Sequence, residues 1–201
     1  MLPPVAKSSK RWLHRHVTDH YVRKAQQQGY RSRAAFKLLE LDAVEKILKP
    51  GMTVIDLGAA PGGWSQVAAQ KVGAKGTVIA IDLLQIAPIS GVTVVQGDFR
   101  ESLPEEVKAD VILSDVSPNL SGIANVDQAR VLELSLGAID VCRKALKPDG
   151  VFVVKAFQGE AFEEVRSELK RAFRHVAVRK PPASRGESRE IYAVARGLLA
   201  L

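Results

Sequence analysis

The 201-residue sequence is poor in several features that would place a protein at once. A single cysteine, Cys142, excludes an internal disulfide and any zinc site built on several cysteines. No apolar run reaches the roughly 18–20 residues that span a bilayer. Met1–Lys10 is polar and basic with no apolar stretch behind it, which argues against a secretory signal. There is no internal repeat and no low-complexity tract. The G-x-G-x-x-G pattern of dinucleotide-binding folds is missing as well. What is present is a globular composition, 46% hydrophobic and 25% charged, in a chain long enough for one domain with a sizeable core. A wholly disordered chain is thereby excluded.

The formal charge is +7, and it is unevenly spread. Residues 1–40 carry nine Lys or Arg against Asp19 and Glu40. Residues 41–165 are net acidic, and residues 166–201 are again net basic. Two basic ends that met in the fold would make a face for a polyanion, and nucleic acid is the natural partner. A solubilising fringe would look the same from charge alone.

The middle of the chain alternates between short β-branched runs and amphipathic stretches. Strands are expected at Thr53–Leu57, Thr77–Asp82, Val92–Val95, Val111–Leu113 and Val151–Val154. Helices are expected at Arg31–Leu48, Gly63–Val72, Asp127–Leu146 and Gly159–Phe173. In the first of these, Ala35, Leu38, Leu39, Leu41, Val44, Ile47 and Leu48 form the apolar stripe. Lys147-Pro148-Asp149-Gly150 is a stop signal for the third. His175–Val178 and Glu190–Ala195 follow one another with no helix between them and suggest a closing hairpin. Strand–helix alternation implies a largely parallel sheet wrapped by helices, an α/β fold of Rossmann-like type.

The segment Val54-Ile55-Asp56-Leu57-Gly58-Ala59-Ala60-Pro61-Gly62-Gly63-Trp64 takes a buried strand through small residues into a helix. Its glycines allow close approach to a ligand, at the sheet edge where such folds bind cofactors. Pro61 removes an amide that a phosphate would want. Asp56 before the loop suits a cationic amino-acid moiety. Asp82, followed by Leu83, ends the second strand and can accept the hydroxyls of a ribose. Asp98, followed by Phe99, ends the third and can hold an adenine amino group. Any one of these acids could be a helix cap or a solvated turn. Together with the glycine loop they describe an adenosyl ligand without phosphates, S-adenosylmethionine.

The motifs E-L-D, D-L-G-A-A-P-G-G-W-S-Q, G-D-F, L-S-D-V-S-P-N-L-S-G, V-V-K-A-F-Q-G and S-R-x-x-S-R-E-I-Y resemble those of the FtsJ/RrmJ family of RNA ribose 2′-O-methyltransferases, in its bacterial form. The resemblance runs from about Arg11 to Gly197 and includes R-S-R-A-A-F-K-L. It implies a class I methyltransferase fold: a seven-stranded, mostly parallel sheet with an antiparallel last strand and helices on both faces. It implies methylation of a uridine 2′ hydroxyl in large-subunit rRNA, in an assembled or nearly assembled subunit; the alternatives are a tRNA ribose 2′-O-methyltransferase, as relatives are, or a non-catalytic RNA-binding ribosome assembly factor. The family's catalytic tetrad falls on Lys37, Asp115, Lys155 and Glu190. The cofactor would meet Asp56, Gly58, Ala59, Ala60, Pro61, Gly62, Gly63, Trp64, Asp82, Leu83, Asp98, Phe99 and Asp115.

The residues themselves leave two of these assignments open. Lys37 could be a solvated lysine at the edge of its helix. Lys155, ending a buried strand, needs a partner such as Asp115, and that pair could serve only to join two strands.

Residues 1–30 read as a basic arm that contacts RNA, and 31–201 as one methyltransferase domain. Candidate RNA contacts are Arg11, Arg15, Arg23, Lys24, Arg31 and Arg33, interleaved with Trp12, Tyr21 and Tyr30, together with Arg185 and Arg189. The aromatics could equally pin the arm to the body. Arg171, Arg174, Arg179 and Lys180 add a second basic region. Pro118 and Asn119 follow Asp115 and could shape the pocket for the target nucleotide. His14, His16 and His20 lie at helical spacing, yet no metal is expected, because the local charge is positive and the chemistry needs none. A cytoplasmic monomer without membrane partners is the remaining expectation.

Overall fold

The computed structural model describes residues 19–118, 124–184, 186 and 188–200. Two helices, α1 (His20–Gln27) and α2 (Ala34–Glu45), precede the sheet. The chain then runs β1 (Thr53–Leu57), α3 (Gly63–Val72), β2 (Thr77–Asp82), β3 (Val92–Gln96), β4 (Ala109–Ser114), α4 (Ala124–Ala145), β5 (Leu146–Phe157), α5 (Glu160–Ala172), β6 (Phe173–Arg179) and β7 (Glu190–Leu198). The seven strands lie in the order β3-β2-β1-β4-β5-β7-β6, with β7 antiparallel to both neighbours and the other pairings parallel. The β6–β7 hairpin and the antiparallel last strand expected from the sequence are both present.

Strand residues alternate between two cores, because successive side chains point to opposite faces. Val54, Val111, Leu113, Val151 and Val153 face α2 and α3, packing on Leu38, Leu41, Trp64 and Val67. Ile55, Leu57, Ile112, Phe152 and Val154 face α4 and α5, packing on Ile139, Val165 and Leu169. Each such buried aliphatic contributes roughly 1.5–3 kcal/mol relative to exposure. Burial on both faces explains why the central strands read as unbroken apolar runs.

Two expectations are corrected. α2 is shorter than Arg31–Leu48: it stops at Glu45, where Lys46 takes a left-handed backbone (φ 53°) and its amide bonds to Asp42 O. Val44, in the last turn of α2, is exposed, while Ile47 and Leu48 reach the core after the chain has turned. Lys147–Gly150 does end α4, but it does so inside β5. The pairing steps from Ala109–Leu146 to Val111–Val151, so the four residues between bulge out of the ladder.

The strand order reverses between β1 and β4, which opens a crevice at their carboxyl ends. The same parity that buries Val111 and Leu113, or Val151 and Val153, carries on to Asp115 and Lys155. Both therefore emerge on the face covered by α2, from which Lys37 comes.

Candidate active site

The loop after β1 is held open by its own amides. Gly58 and Ala59 donate to Ile81 O at 2.9 and 3.2 Å, and Ala60 N donates to Asp82 Oδ2 at 2.8 Å. Gly58 has φ +69°, and a Cβ there would lie 2.5 Å from Val116 Cγ2, so no side chain fits. Leu84 N donates to the other Asp82 oxygen at 2.8 Å. Each Asp82 oxygen thus spends one lone pair on the backbone.

A cleft of about 440 Å³ opens beyond this loop. Of the residues predicted to meet a cofactor, Gly58, Ala60, Asp82, Leu83, Asp98, Phe99 and Asp115 line it. Its charged lining is three carboxylates and Arg100, whose guanidinium is bound to Asp98 at 2.5–3.1 Å. That contact holds the Asp98 carboxyl below the usual range. Such a donor set disfavours pyrophosphate and fits a cationic nucleoside that offers hydroxyls to carboxylates.

The other predicted cofactor residues do not line this cleft. Trp64 is buried; its indole nitrogen donates to Ala34 O at 2.7 Å and its ring packs on Tyr192. Pro61 O accepts from Arg31, and Gly62 and Gly63 lie against Arg31 and Ser32. Ala59 is buried against Ala80 and Ile86. Asp56 is fully buried beneath the loop, where Oδ2 accepts from Ser65 Oγ at 2.6 Å and Oδ1 has no hydrogen-bond partner among the described residues. Burial, with Asp115 and Asp82 nearby, pushes its carboxyl up to about 7.

Next to the cleft, six side chains from separate parts of the fold form one network. Lys155 Nζ donates to Asp115 O at 2.6 Å and meets Asp115 Oδ1 at 3.1 Å. Lys37 Nζ reaches Glu190 Oε1 at 2.6 Å and Oε2 at 2.8 Å. Tyr192 Oη lies between the two pairs, 3.0 Å from Asp115 Oδ1 and 3.1 Å from Glu190 Oε1. Ser184 Oγ donates to Glu190 Oε1 at 3.0 Å. Only 8% of the Lys155 side chain and 13% of the Lys37 side chain is exposed, so neither is an ordinary surface lysine. Burial pulls the Glu190 carboxyl up, but Lys37, Ser184 and Lys155 outweigh it and hold it below the usual range. Burial, Asp115 and Glu190 all push the Tyr192 phenol up, so it is a neutral hydroxyl whose single proton is shared between the two acids.

Tyr192 and Ser184 belong to the S-R-x-x-S-R-E-I-Y motif, which by itself assigns them no role. The signal for Tyr192 was available: Glu190 and Tyr192 share a strand face at spacing two, and Tyr192 pairs with Lys155 across the ladder. Ser184 opens the S-R-x-x-S-R-E-I-Y motif, but its place in the β6–β7 loop offers no spacing that marks its contact with Glu190.

Several predicted RNA contacts are already engaged. Arg31 donates to Pro61 O, Ala87 O and Pro88 O, and Arg33 binds Asp19 and Ala183 O. These two arginines tie loops together. The Lys24 ammonium lies 4.7 Å from the Phe36 ring centre, Arg23 is exposed, and Arg189 is exposed one residue before Glu190. Tyr21 packs on Phe36 and donates to Glu40, which is the pinning alternative. Arg11, Trp12, His14, Arg15, His16, Asn119 and Arg185 lie outside the described residues.

The FtsJ-like methyltransferase family matches residues 30–198. The chain belongs to this family. A relative from Thiobacillus denitrificans, named ribosomal RNA large subunit methyltransferase E, is 52% identical over 96% of this chain and 92% of its own. Among solved structures, a protein from Plasmodium falciparum titled a ribosomal RNA methyltransferase superposes with a TM-score of 0.77 at 30% identity, covering 86% of this chain and all of that one. The fibrillarin of Aeropyrum pernix, solved with bound S-adenosyl-L-methionine, shares the fold at 15% identity and a TM-score of 0.59, over 83% of this chain and 75% of its own. Family membership accounts for the motif set, since the loop, the strand-end acids and the two lysines all lie at one sheet edge.

Proposed function

We propose that this FtsJ-like protein transfers a methyl group from S-adenosylmethionine to the ribose 2′ hydroxyl of a uridine in large-subunit ribosomal RNA, in an assembled or nearly assembled subunit. The observation that carries this reading is the Lys155–Asp115 pair, because Asp115 both lines the acidic cleft and binds the buried lysine. The curated relatives' names support the choice of RNA.

In this reading Asp82 and Asp98 hold the nucleoside part of the cofactor, and Gly58 and Ala60 leave room for it. The cofactor supplies an activated methyl group and a thioether leaving group that needs no proton. The chain's work is alignment of the ribose and management of its hydroxyl proton. Asp115 occupies two of the valences on Lys155 Nζ, which leaves one for the 2′ oxygen. As an amine, that position takes the proton while the new oxygen–carbon bond forms and the carbon–sulfur bond breaks. As an ammonium, it stabilises the developing oxyanion. Lys37 and Glu190 hold the ribose from the α2 side, and Tyr192 keeps the two halves of the network in register.

Arg23, Lys24 and Arg189 contribute to the RNA face, together with the residues 1–30 that we assign as a basic arm on a methyltransferase domain of 31–201. The enzyme works as a cytoplasmic monomer. Among the described residues no helix is long and apolar enough to cross a membrane.

The test offers labelled S-adenosylmethionine with large subunits, free rRNA and tRNA, then maps the labelled nucleotide. Label on a uridine 2′ oxygen of large-subunit rRNA is expected. Label on tRNA alone would contradict the reading.

A further inference from the structure

A second cavity, of about 200 Å³, lies beside the network and outside the acidic cleft. Its walls are Phe157, Val131 and Ala161, and its rim carries Gln128, Gln158, Arg189 and Asp127. It is smaller than the roughly 300–1,000 Å³ that hold a cofactor-sized ligand, and its apolar walls suit one flat ring.

Its position ties it to the chemistry. Phe157 is two residues beyond Lys155 on β5, about 7 Å along the strand, and pairs with Glu190 across the ladder. Arg189 directly precedes Glu190, and its carbonyl accepts from Gln158 N at 2.8 Å. A ring seated here belongs to a nucleotide whose sugar can reach the network.

The rim chemistry narrows the ring further. A Cβ built on Gly159 would lie 3.6 Å from Arg189 Nη2 and 3.9 Å from Gln128 Nε2. Two hydrogen-bond donors, one from β7's leading edge and one from α4, therefore converge over a bare backbone position. Arg189 can only donate, and Gln128 donates when its amide nitrogen faces the cavity; beside an aromatic wall such a pair matches a pyrimidine that presents two carbonyl oxygens. Uracil does so, whereas cytosine replaces one with an amine.

We propose that this cavity receives the uracil base of the nucleotide whose ribose is methylated, with its ring against Phe157 and its carbonyls facing Gln128 and Arg189. The proposal rests on the function proposed above and adds how the target base is chosen.

The test uses large subunits reconstituted with uridine or cytidine at the nucleotide that the unaltered enzyme labels. The unaltered enzyme should prefer uridine by at least tenfold in kcat/KM, about the discrimination that a well-made base contact supplies. Gln128→Ala and Arg189→Ala should each bring that ratio below about threefold, with unchanged affinity for S-adenosylmethionine and an unchanged melting temperature. A ratio preserved in both variants, or an unaltered enzyme indifferent to the base, overturns the base pocket and leaves the methyltransferase reading standing. No label on large-subunit RNA from the unaltered enzyme overturns both.

Discussion

Asp56 lies beneath the glycine loop with Ser65 on one oxygen and, among the described residues, no partner on the other. Burial raises its carboxyl to about 7, against roughly 3.9 in an unfolded chain. The folded state thus keeps a proton that the unfolded state releases. The stability this confers is complete below about pH 4 and is lost as pH rises through 7. The three-unit gap corresponds to about 4 kcal/mol at most. Asp56→Asn keeps an acceptor for Ser65 and removes the titration. Its melting temperature should exceed that of the unaltered protein by several degrees at pH 8, with the difference shrinking towards pH 5. Parallel melting curves across that range would contradict the assignment. Glu190 behaves in the opposite sense. Its depressed carboxyl contributes stability above the normal glutamate range, and that contribution is lost in acid as the Lys37 pair is protonated apart.

At the scale of elements, the loop between β1 and α3 depends on backbone that only glycine provides. Gly58→Ala places a methyl against Val116, side chain and backbone alike, at a positive φ. It should lower stability by about 1–2 kcal/mol and weaken S-adenosylmethionine binding by more than tenfold. Gly73→Ala is the control: its φ is +65° in open space, so it should share the stability loss and leave binding unchanged. Calorimetry and cofactor titration read the two effects, and equal binding losses in both variants would contradict this account of the loop. The loop, its acids and the central strands were legible in the sequence because local pattern determines them: a buried run, then small residues, then a helix. The engagement of Arg31 and Arg33 was not, because their partners at Ala87, Pro88 and Ala183 lie 56, 57 and 150 positions away. Trp64 read as a cofactor contact because it adjoins the loop, yet its first helical turn points it into the α2 core. Glu40 opens the E-L-D motif, but nothing local in the sequence shows what it binds. Its carboxylate accepts from Tyr21 Oη at 2.9 Å and from Ala183 N at 2.6 Å, fastening α1 to the β6–β7 loop behind Glu190.

For the whole molecule, the uneven charge acquires a spatial meaning. The acidic middle of the chain supplies Asp82, Asp98 and Asp115 to one cleft at the carboxyl edge of the sheet. The basic ends bring Lys37 and Arg189 to the same edge from opposite ends of the sequence. The sheet order brings them together: β7 inserts between β5 and β6, so Glu190 from the chain's end lies against Lys37 near its start. That closure is what the central claim depends on, namely that Lys155 carries out methyl transfer within this network. Single-turnover transfer from labelled S-adenosylmethionine to assembled large subunits, by the unaltered protein and by Lys155→Ala, tests it most directly. The account predicts label on one uridine 2′ oxygen for the unaltered protein. For the variant it predicts a rate at least a hundredfold lower, with cofactor affinity within about threefold. Transfer by Lys155→Ala at close to the unaltered rate would contradict it.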